Sequence, residues 1–349
     1  MANNFSSMIT TGISRIKNVF TSIRQKLRSK NAATPLDTID PVSEEPARGE
    51  WKSHIYIAPA FSRTKLVAKL DYFIYTPAPT AERPDTKGMP LVVMLHGCTQ
   101  NAHDFAAGTR MNQLADQEGF VVLYPQQSIA HNLGKCWRWF DLEDSKGMAE
   151  AHSIMNIIHS TLLMHGLDAS RVYVAGMSAG TGMASILAAY FPEQIRAAAL
   201  HSGPVIGKAQ GIKSGLDILK KPFNDSDEEL ISYLRGFAQP KAHQIPALII
   251  HGMEDEVVNS SNTDGLTKQF LYLNHLTTDS KTTLHKHLSG TAQEYTLSEY
   301  KQDKQPVLEV IKVKHLKHAW SGGNEKYPFN SAHGPMASYL IWDFFNRLS

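Results

Sequence analysis

Residues 172–180 read Val172-Tyr173-Val174-Ala175-Gly176-Met177-Ser178-Ala179-Gly180, and this stretch decides the fold class of the 349-residue chain. Its first four residues are typical of a buried strand, and the residues from Met183 to Tyr190 have helical character. A Gly-x-Ser-x-Gly between strand and helix predicts a strained turn whose small neighbours let backbone and substrate approach the serine. Ser178 is therefore the candidate nucleophile.

Composition narrows the class of protein. With 42% hydrophobic residues, the chain can bury a large core, and its length fits one large α/β domain with an appendage or two modest domains. The first 30 residues contain six basic side chains and no acid, so against a total of +2 the remainder carries −4. We therefore expect no nucleic-acid partner for the main body of the chain.

The N-terminal segment differs from the rest. Between Met8 and Leu27, apolar residues recur at three- and four-residue steps, which predicts a basic amphipathic helix. Such a helix could lie on a lipid or polymer-granule surface through residues 8–30, or it could dock on the main domain or remain a tail. Residues 31–50 are interrupted by prolines and resemble a linker. We predict a segment over 1–50 and one domain over 51–349.

The sequence shows no clear signal for membrane insertion or secretion, and its two cysteines allow more than one interpretation. No run of about 18 apolar residues exists, and the N-terminus lacks the apolar stretch and small-residue cleavage site of a secretory signal. The two cysteines, Cys98 and Cys136, have no metal-ligand spacing and could form one disulfide or none. We expect no metal site.

Strand-like and helical patterns alternate from Trp51 onward. Strands are predicted at 54–57, 66–76, 90–96, 120–124, 171–175, 197–201, 247–251 and 308–314. Helices are predicted near 103–118, 149–166, 179–190, 262–275 and 335–347. Hairpin-like strands near the start of this region are followed by strands that alternate with helices. This pattern predicts a mostly parallel central sheet with helices on both faces.

A serine nucleophile needs an imidazole base and a carboxylate that orients it. After the apolar strand at 247–251 comes an acidic loop in which Asp255 is the preferred carboxylate, with Glu254 and Glu256 as alternatives. The last predicted strand leads to His318, the preferred base, with His315 as the alternative. The chain order Ser, Asp, His is that of α/β-hydrolases.

Two backbone N–H groups are the expected oxyanion donors. Ala179 follows the nucleophile and supplies the first. The predicted strand at 90–96 leads into a His-Gly turn, so the N–H of Cys98 is the natural second donor. The sequence thus contains candidates for the nucleophile, the carboxylate, the base and both oxyanion donors.

Five segments together resemble the esterase, polyhydroxybutyrate (PHB) depolymerase family, which is related to feruloyl and acetylxylan esterases. They are Leu95-His96-Gly97-Cys98-Thr99-Gln100, Cys136-Trp137-Arg138-Trp139-Phe140, Gly176 to Gly180, His251-Gly252 with Asp255 and Val258, and His318-Ala319-Trp320-Ser321-Gly322-Gly323. The resemblance implies an α/β-hydrolase fold, a Ser178, Asp255 and His318 triad, and an oxyanion hole formed by Cys98 and Ala179.

The resemblance also implies a substrate class and its contacts. The expected activity is serine ester hydrolysis of poly- or oligo-(3-hydroxybutyrate) or similar short-chain hydroxyacyl esters, without a cofactor, and the alternative is a feruloyl or acetylxylan esterase. Trp137, Trp320 and Gln100 are the expected substrate contacts, and a position in the core is the alternative for Trp137. A disulfide between Cys98 and Cys136 would fix the oxyanion loop to the aromatic segment, and a reduced pair is the alternative.

Two further questions stay open at this level. Members of the family are often exported, so the resemblance implies an extracellular protein although no signal peptide is visible, and a cytoplasmic or granule-associated protein is the alternative. From a different functional class, the chain could be a non-catalytic protein that binds granule or lipid surfaces. The presence of nucleophile, acid, base and oxyanion loop argues for the enzyme.

Overall fold

Ten strands form one continuous sheet in the computed structural model, which describes residues 45–60, 66–132, 134–142, 146–222, 225–235, 238, 244–277, 279–280, 282–303 and 305–348. Contacts divide the chain after Asp40, so the unit Pro41–Ser349 contains all described residues. The predicted N-terminal helix and most of the predicted linker lie outside them. No helix among the described residues is long and apolar enough to span a membrane.

The strands are β1 (Glu50–Ile57), β2 (Lys69–Thr76), β3 (Leu91–Leu95), β4 (Val121–Gln126), β5 (Val172–Met177), β6 (Ala197–His201), β7 (Ala247–Gly252), β8 (Thr282–His287), β9 (Tyr295–Gln302) and β10 (Gln305–Val313). They are ordered β1-β2-β4-β3-β5-β6-β7-β10-β9-β8. The six strands from β4 to β10 in this order are parallel, and the outer strands pair antiparallel. The mostly parallel sheet was predicted correctly. A separate two-stranded pair contains β11 (Trp320–Ser321) and β12 (Asn330–Ser331).

The helices are α1 (Ala102–Thr109), α2 (Met111–Glu118), α3 (Lys146–His165), α4 (Ala179–Tyr190), α5 (Ile212–Lys220), α6 (Asp227–Arg235), α7 (Ser261–Leu273) and α8 (Ala337–Asn346). The single helix predicted near 103–118 is two helices, because Arg110 between them has a left-handed backbone with φ of 57°. Helices α5 and α6 and strands β8 and β9 were not predicted.

Helices cover both faces of the sheet. Val172 and Val174 point into a core that includes Ile154 of α3 and Met183 of α4. The intervening Tyr173 points the other way, because successive side chains of a strand alternate between faces, and its ring stacks on Phe345 of α8 at 4.5 Å between centroids. Burial on both faces explains why the central strands are continuous apolar runs.

The parallel arrangement has a consequence for chemistry. Strands β3, β5, β6, β7 and β10 are neighbours and run in the same direction, so the loops that follow them emerge at one edge of the sheet. This carboxyl edge is where open α/β sheets build their sites.

Candidate active site

Ser178 occupies the turn between β5 and α4. Its backbone has φ of 57° and ψ of −121°, a sparsely populated region that costs a non-glycine residue on the order of 1–3 kcal/mol. The Ser178 N–H donates to the carbonyl oxygen of His201 at 2.9 Å, which fixes the turn to the neighbouring strand. A Cβ at Gly180 would collide with the carbonyl oxygen of Leu95, so only glycine lets α4 begin this close to β3.

Asp255 lies on the loop after β7. One carboxylate oxygen, Oδ1, accepts the backbone N–H groups of Val257 at 2.9 Å and Val258 at 2.8 Å. The other, Oδ2, lies 2.7 Å from Nδ1 of His318, and the Asp255 side chain is completely buried. The loop therefore orients both oxygens, one toward the backbone and one toward the imidazole.

Burial and its neighbours act on the pKa of Asp255 in opposite directions. Burial alone would raise it, but the hydrogen bond and charge of His318, together with the Val258 N–H, lower the pKa below its ordinary value. The carboxylate is thus ionised at neutral pH. An ionised Asp255 holds the proton of the imidazole on Nδ1 and leaves Nε2 as the free base.

The alternative acid and base pair with each other. Glu254 Oε1 lies 3.0 Å from Nδ1 of His315, and about half of each side chain is exposed. Glu256 is exposed. Neither glutamate takes the place of Asp255 beside His318, so the geometry favours the pair that was preferred on sequence.

The predicted oxyanion donors lie on the loop after β3 and at the start of α4. Ala179 is the first residue of α4, and the first N–H groups of a helix have no acceptor within it. A Cβ at Gly97 would lie 3.4 Å from Cβ of Ser178, which places the Cys98 loop directly beside the nucleophile. Cys98 is joined to Cys136 by a disulfide, so the loop is covalently held.

The buried His96 side chain stabilises the Cys98 loop through hydrogen bonds. Its Nε2 accepts the Gln127 N–H at 3.0 Å, and its Nδ1 donates to the Gly97 carbonyl oxygen at 2.7 Å. Burial lowers the pKa of His96 to about 4, so the ring is neutral and can both donate and accept. The conformation of the loop thus depends on a buried neutral histidine.

His201 connects the nucleophile turn to the loop of His318, and sequence reasoning missed it. Its backbone oxygen accepts the Ser178 N–H, and its Nε2 accepts the Ser321 N–H at 3.2 Å. Its ring stacks on Trp320 at 4.9 Å. Burial, followed by the charges of His251 and His318, lowers its pKa to about 3. The available signal was a histidine at the end of a buried strand.

Two predicted substrate contacts, Trp137 and Trp320, have buried side chains in the structure. Trp137 has no exposed surface, and its Nε1 donates to the His96 carbonyl oxygen at 3.0 Å. Trp320 is 1% exposed, and its Nε1 donates to Oγ of Ser338 at 3.2 Å. Both indoles hold the loops of the site together instead of presenting a face to a ligand.

Gln100, the third predicted substrate contact, has a largely buried side chain as well. Its side chain is 5% exposed, and Oε1 accepts the Gly97 N–H at 2.8 Å. Its Nε2 lies 3.5 Å from the Pro328 carbonyl oxygen, on the segment that follows the His318 loop. Gln100 therefore shapes the oxyanion loop from inside, because its amide group already has protein partners.

Comparison with known proteins decides the family. A sequence model described as esterase PHB depolymerase matches residues 70–291, which is more than half of the chain. The chain belongs to this family. The matched range contains Ser178, Asp255 and the Cys98 loop, while His318 lies beyond it.

Individual relatives agree with the family. The chain is 33% identical over 183 residues to poly(3-hydroxyalkanoate) depolymerase C of Paucimonas lemoignei, covering 52% of this chain and 44% of that protein. It is 34% identical over 140 residues to a probable acetylxylan esterase A of Neosartorya fischeri, covering 39% and 35%. The chain thus spans less than half the length of either relative.

Solved structures establish the fold. The acetyl xylan esterase from Aspergillus awamori superimposes with a TM-score of 0.65 at 20% identity, covering 84% of this chain and 99% of that one. An S-formylglutathione hydrolase from Agrobacterium tumefaciens gives 0.54 at 17% identity, covering 88% and 98%. The predicted α/β-hydrolase fold of this esterase family member is confirmed.

Proposed function

We propose that the protein is a serine carboxylic-ester hydrolase that cleaves poly- or oligo-(3-hydroxybutyrate) or similar short-chain hydroxyacyl esters. The observation that carries the proposal is the buried Asp255 carboxylate 2.7 Å from His318 Nδ1, at the same sheet edge as the Ser178 turn. Membership of the esterase PHB depolymerase family supports the same chemistry. The relatives named depolymerase and acetylxylan esterase support an ester substrate.

The proposed mechanism has two steps. In the first, Nε2 of His318 takes the proton of the Ser178 hydroxyl as the oxygen attacks the ester carbonyl, and the Asp255 carboxylate stabilises the imidazolium. The N–H groups of Cys98 and Ala179 stabilise the oxyanion, and His318 gives the proton to the leaving alcohol oxygen. In the second step, His318 activates water, which releases the acid and regenerates the Ser178 hydroxyl.

Turnover of a panel of esters tests this proposal. We expect hydrolysis of p-nitrophenyl butyrate and of 3-hydroxybutyrate oligomers, lost in Ser178→Ala because the nucleophile is gone. Ser160→Ala is the matched control, since Ser160 is exposed on α3. Substantial turnover by folded Ser178→Ala would contradict the assignment of the nucleophile.

The second candidate is a feruloyl or acetylxylan esterase, favoured by the named relatives. Besides the acetylxylan esterase, feruloyl esterase B of Thermothelomyces thermophilus is 28% identical over 212 residues. PHB, methyl ferulate and acetylated xylan, each with purified protein, separate the two candidates. Faster turnover of the ferulate or the xylan than of hydroxybutyrate oligomers would favour the second.

We further propose that residues 1–50 are a separate basic segment and linker ahead of a catalytic domain at 51–349, and that residues 8–30 contact a polymer-granule or lipid surface. The six basic side chains and the apolar spacing between Met8 and Leu27 support this. Deleting residues 1–36 should weaken binding to PHB granules or anionic liposomes. Unchanged binding would contradict the surface role, and a protein that binds but turns over no ester would favour the non-catalytic alternative.

A further inference from the structure

Phe329 is an exposed aromatic residue beside the proposed base. Its ring contacts the imidazole of His318 edge-on, with centroids 6.4 Å apart and planes at 78°. The Phe329 side chain is 40% exposed, whereas Trp137 and Trp320 are buried. Phe329 is therefore a solvent-exposed ring in contact with His318, and neither tryptophan offers a comparable surface.

Hydrogen bonds hold Phe329 in this position. The backbone carbonyl oxygen of Phe329 accepts the backbone N–H of Trp320 at 2.8 Å. The next residue, Asn330, pairs with Trp320 in the β11–β12 ladder. The Asn330 side chain donates to the Pro328 carbonyl oxygen at 2.9 Å and packs over Gly108 of α1, where a Cβ would collide with it. The exposure of the ring is thus a property of a fixed segment.

The backbone of Phe329 is unusual for its residue type. Its φ is +59°, in the left-handed region, which is unfavourable for a bulky side chain and suits glycine or asparagine better. Because the side chain is exposed, its burial contributes little to stability, and the left-handed backbone is unfavourable for phenylalanine. Such outliers are enriched at active sites and ligand-binding segments, and they persist where the surrounding structure holds them in place.

The position beside His318 indicates which part of an ester the ring would contact. A triad base returns its proton to the leaving alcohol oxygen, so the alcohol portion lies against the imidazole in the first step. A ring that packs on the same imidazole meets that portion and not the acyl chain. The loop of Asp255 adds apolar surface at this end of the sheet, since Met253 and Val257 are each 45% exposed.

We propose that Phe329 is a specificity-determining residue that favours esters with an apolar alcohol portion. The inference rests on the proposed ester hydrolysis and adds that Phe329 discriminates between ester substrates. The ring buries the carbon atoms of the leaving alcohol next to His318, and this contact forms with large alcohols and is absent with methanol.

Two ester series separate the alcohol side from the acyl side. The first keeps butyrate and varies the alcohol from methyl to hexyl to benzyl; the second keeps the methyl alcohol and varies the acid from acetate to octanoate. The variants are Phe329→Ala and Phe329→Asn, and asparagine tolerates the left-handed backbone, so this variant removes the ring without adding strain. Leu163→Ala is the matched control, because Leu163 is an exposed leucine of α3.

We expect the ratio of kcat/KM for benzyl butyrate to that for methyl butyrate to fall about tenfold in both Phe329 variants, mainly through KM. The same ratio should stay at the wild-type value in Leu163→Ala, and the acyl series should keep its wild-type order in all variants.

Four results would overturn the inference. An equal loss of kcat for every ester, with a displaced pH profile, would mean that Phe329 only positions His318. A selectivity change confined to the acyl series would place the ring on the other side of the ester. Wild-type protein that hydrolyses no ester would overturn the proposed function and this inference with it, whereas active wild-type protein with unchanged variant selectivity overturns the inference alone.

Discussion

Asp255 Oδ2 lies 2.7 Å from His318 Nδ1 in a largely buried contact, while the neighbouring Glu254 and His315 make a similar 3.0 Å contact at the surface. Two acid–histidine pairs therefore connect the same two loops, a few residues apart. Only the Asp255 pair is shielded from water and lies within the proposed site. The difference in burial gives the two pairs different expected roles.

Asp255→Asn should lower kcat for a p-nitrophenyl ester by about 10³- to 10⁴-fold, since an amide in place of the carboxylate favours the wrong imidazole tautomer. The backbone N–H groups of Val257 and Val258 still find an oxygen acceptor, so the loop should keep its shape. The measurement is steady-state kinetics, with a circular dichroism spectrum to verify folding.

The surface pair provides the matched control. Glu254→Gln and His315→Ala should change kcat less than about threefold, because about half of each side chain is exposed and such a surface contact contributes little. His318→Ala should lose activity as completely as Ser178→Ala. Equal losses in His315→Ala and His318→Ala would mean that the base has been assigned to the wrong histidine.

Gly180→Ala should destabilise the protein by about 3 kcal/mol or more, because its Cβ would collide with the carbonyl oxygen of Leu95 in the buried start of α4. Gly290→Ala is the comparison: its φ of +81° is unfavourable for alanine, but no atom of the described residues lies within 4 Å of the new Cβ, so about 1 kcal/mol is expected. Denaturant unfolding measures both. Equal losses would contradict the close packing of α4 against β3.

Acid should destabilise the fold through its buried histidines. The pKa values of His96 and His201 are lowered to about 4 and about 3, chiefly by burial, from about 6.5 in the unfolded chain. Their neutral forms contribute stability that is fully present above pH 6.5 and is lost as pH falls toward the folded-state pKa values. The contribution of these two histidines to the free energy of unfolding should therefore decrease between pH 7 and 4.5, while the buried Glu150, whose pKa burial raises to about 7, contributes in the opposite direction.

His201→Gln isolates one of these contributions. Glutamine can still accept the Ser321 N–H, and it carries no titrating group, so the decrease between pH 7 and 4.5 should be smaller by about 2 kcal/mol than in wild type. His159→Gln replaces an exposed histidine and should leave the pH dependence as it was. An unaltered slope in His201→Gln would mean that His201 does not titrate with unfolding as described.

The disulfide should matter for stability and for the oxyanion loop. It closes a loop with a sequence separation of 38, so replacing both Cys98 and Cys136 by serine should cost about 2–4 kcal/mol. The loop carries a proposed oxyanion donor, so kcat should fall as well. A reducing agent should lower the melting temperature of wild type and leave the double variant unchanged; identical responses would contradict the bridge.

The candidate triad of Ser178, Asp255 and His318 could be proposed from sequence because each residue has a local signature. Ser178 lies in a strand-turn-helix pattern, and Asp255 and His318 each follow a buried strand whose apolar run is visible in the chain. The order of the parallel strands then brings the three loops to one edge. The same local signals predicted the central sheet.

The burial of the predicted substrate contacts is a property that no local pattern encodes. Trp137, Trp320 and Gln100 have the chemistry of ligand contacts, but neighbours distant in sequence bury them and occupy their polar atoms. Phe329 lacks any motif, and only the folded chain exposes it beside His318. Tertiary packing decides whether a side chain is buried or faces solvent.

The unpredicted elements have a similar explanation. Strands β8 and β9 form an antiparallel edge of the sheet, where β9 alternates buried and partly exposed residues and includes several polar ones. Helix α5 contains Gly215, which weakens helix propensity, but a Cβ there would meet the Phe140 side chain at 3.1 Å. Close packing on the aromatic segment accounts for a glycine that the local pattern disfavours.

Covalent labelling tests the central claim most directly. The full chain is treated with a fluorophosphonate, and the adduct is located by mass spectrometry in wild type, Ser178→Ala and the Ser160→Ala control. The proposed mechanism predicts one adduct, on Ser178, in wild type and in the control, and none in Ser178→Ala. No adduct in wild type, or an adduct on a different serine that persists in Ser178→Ala, would contradict it.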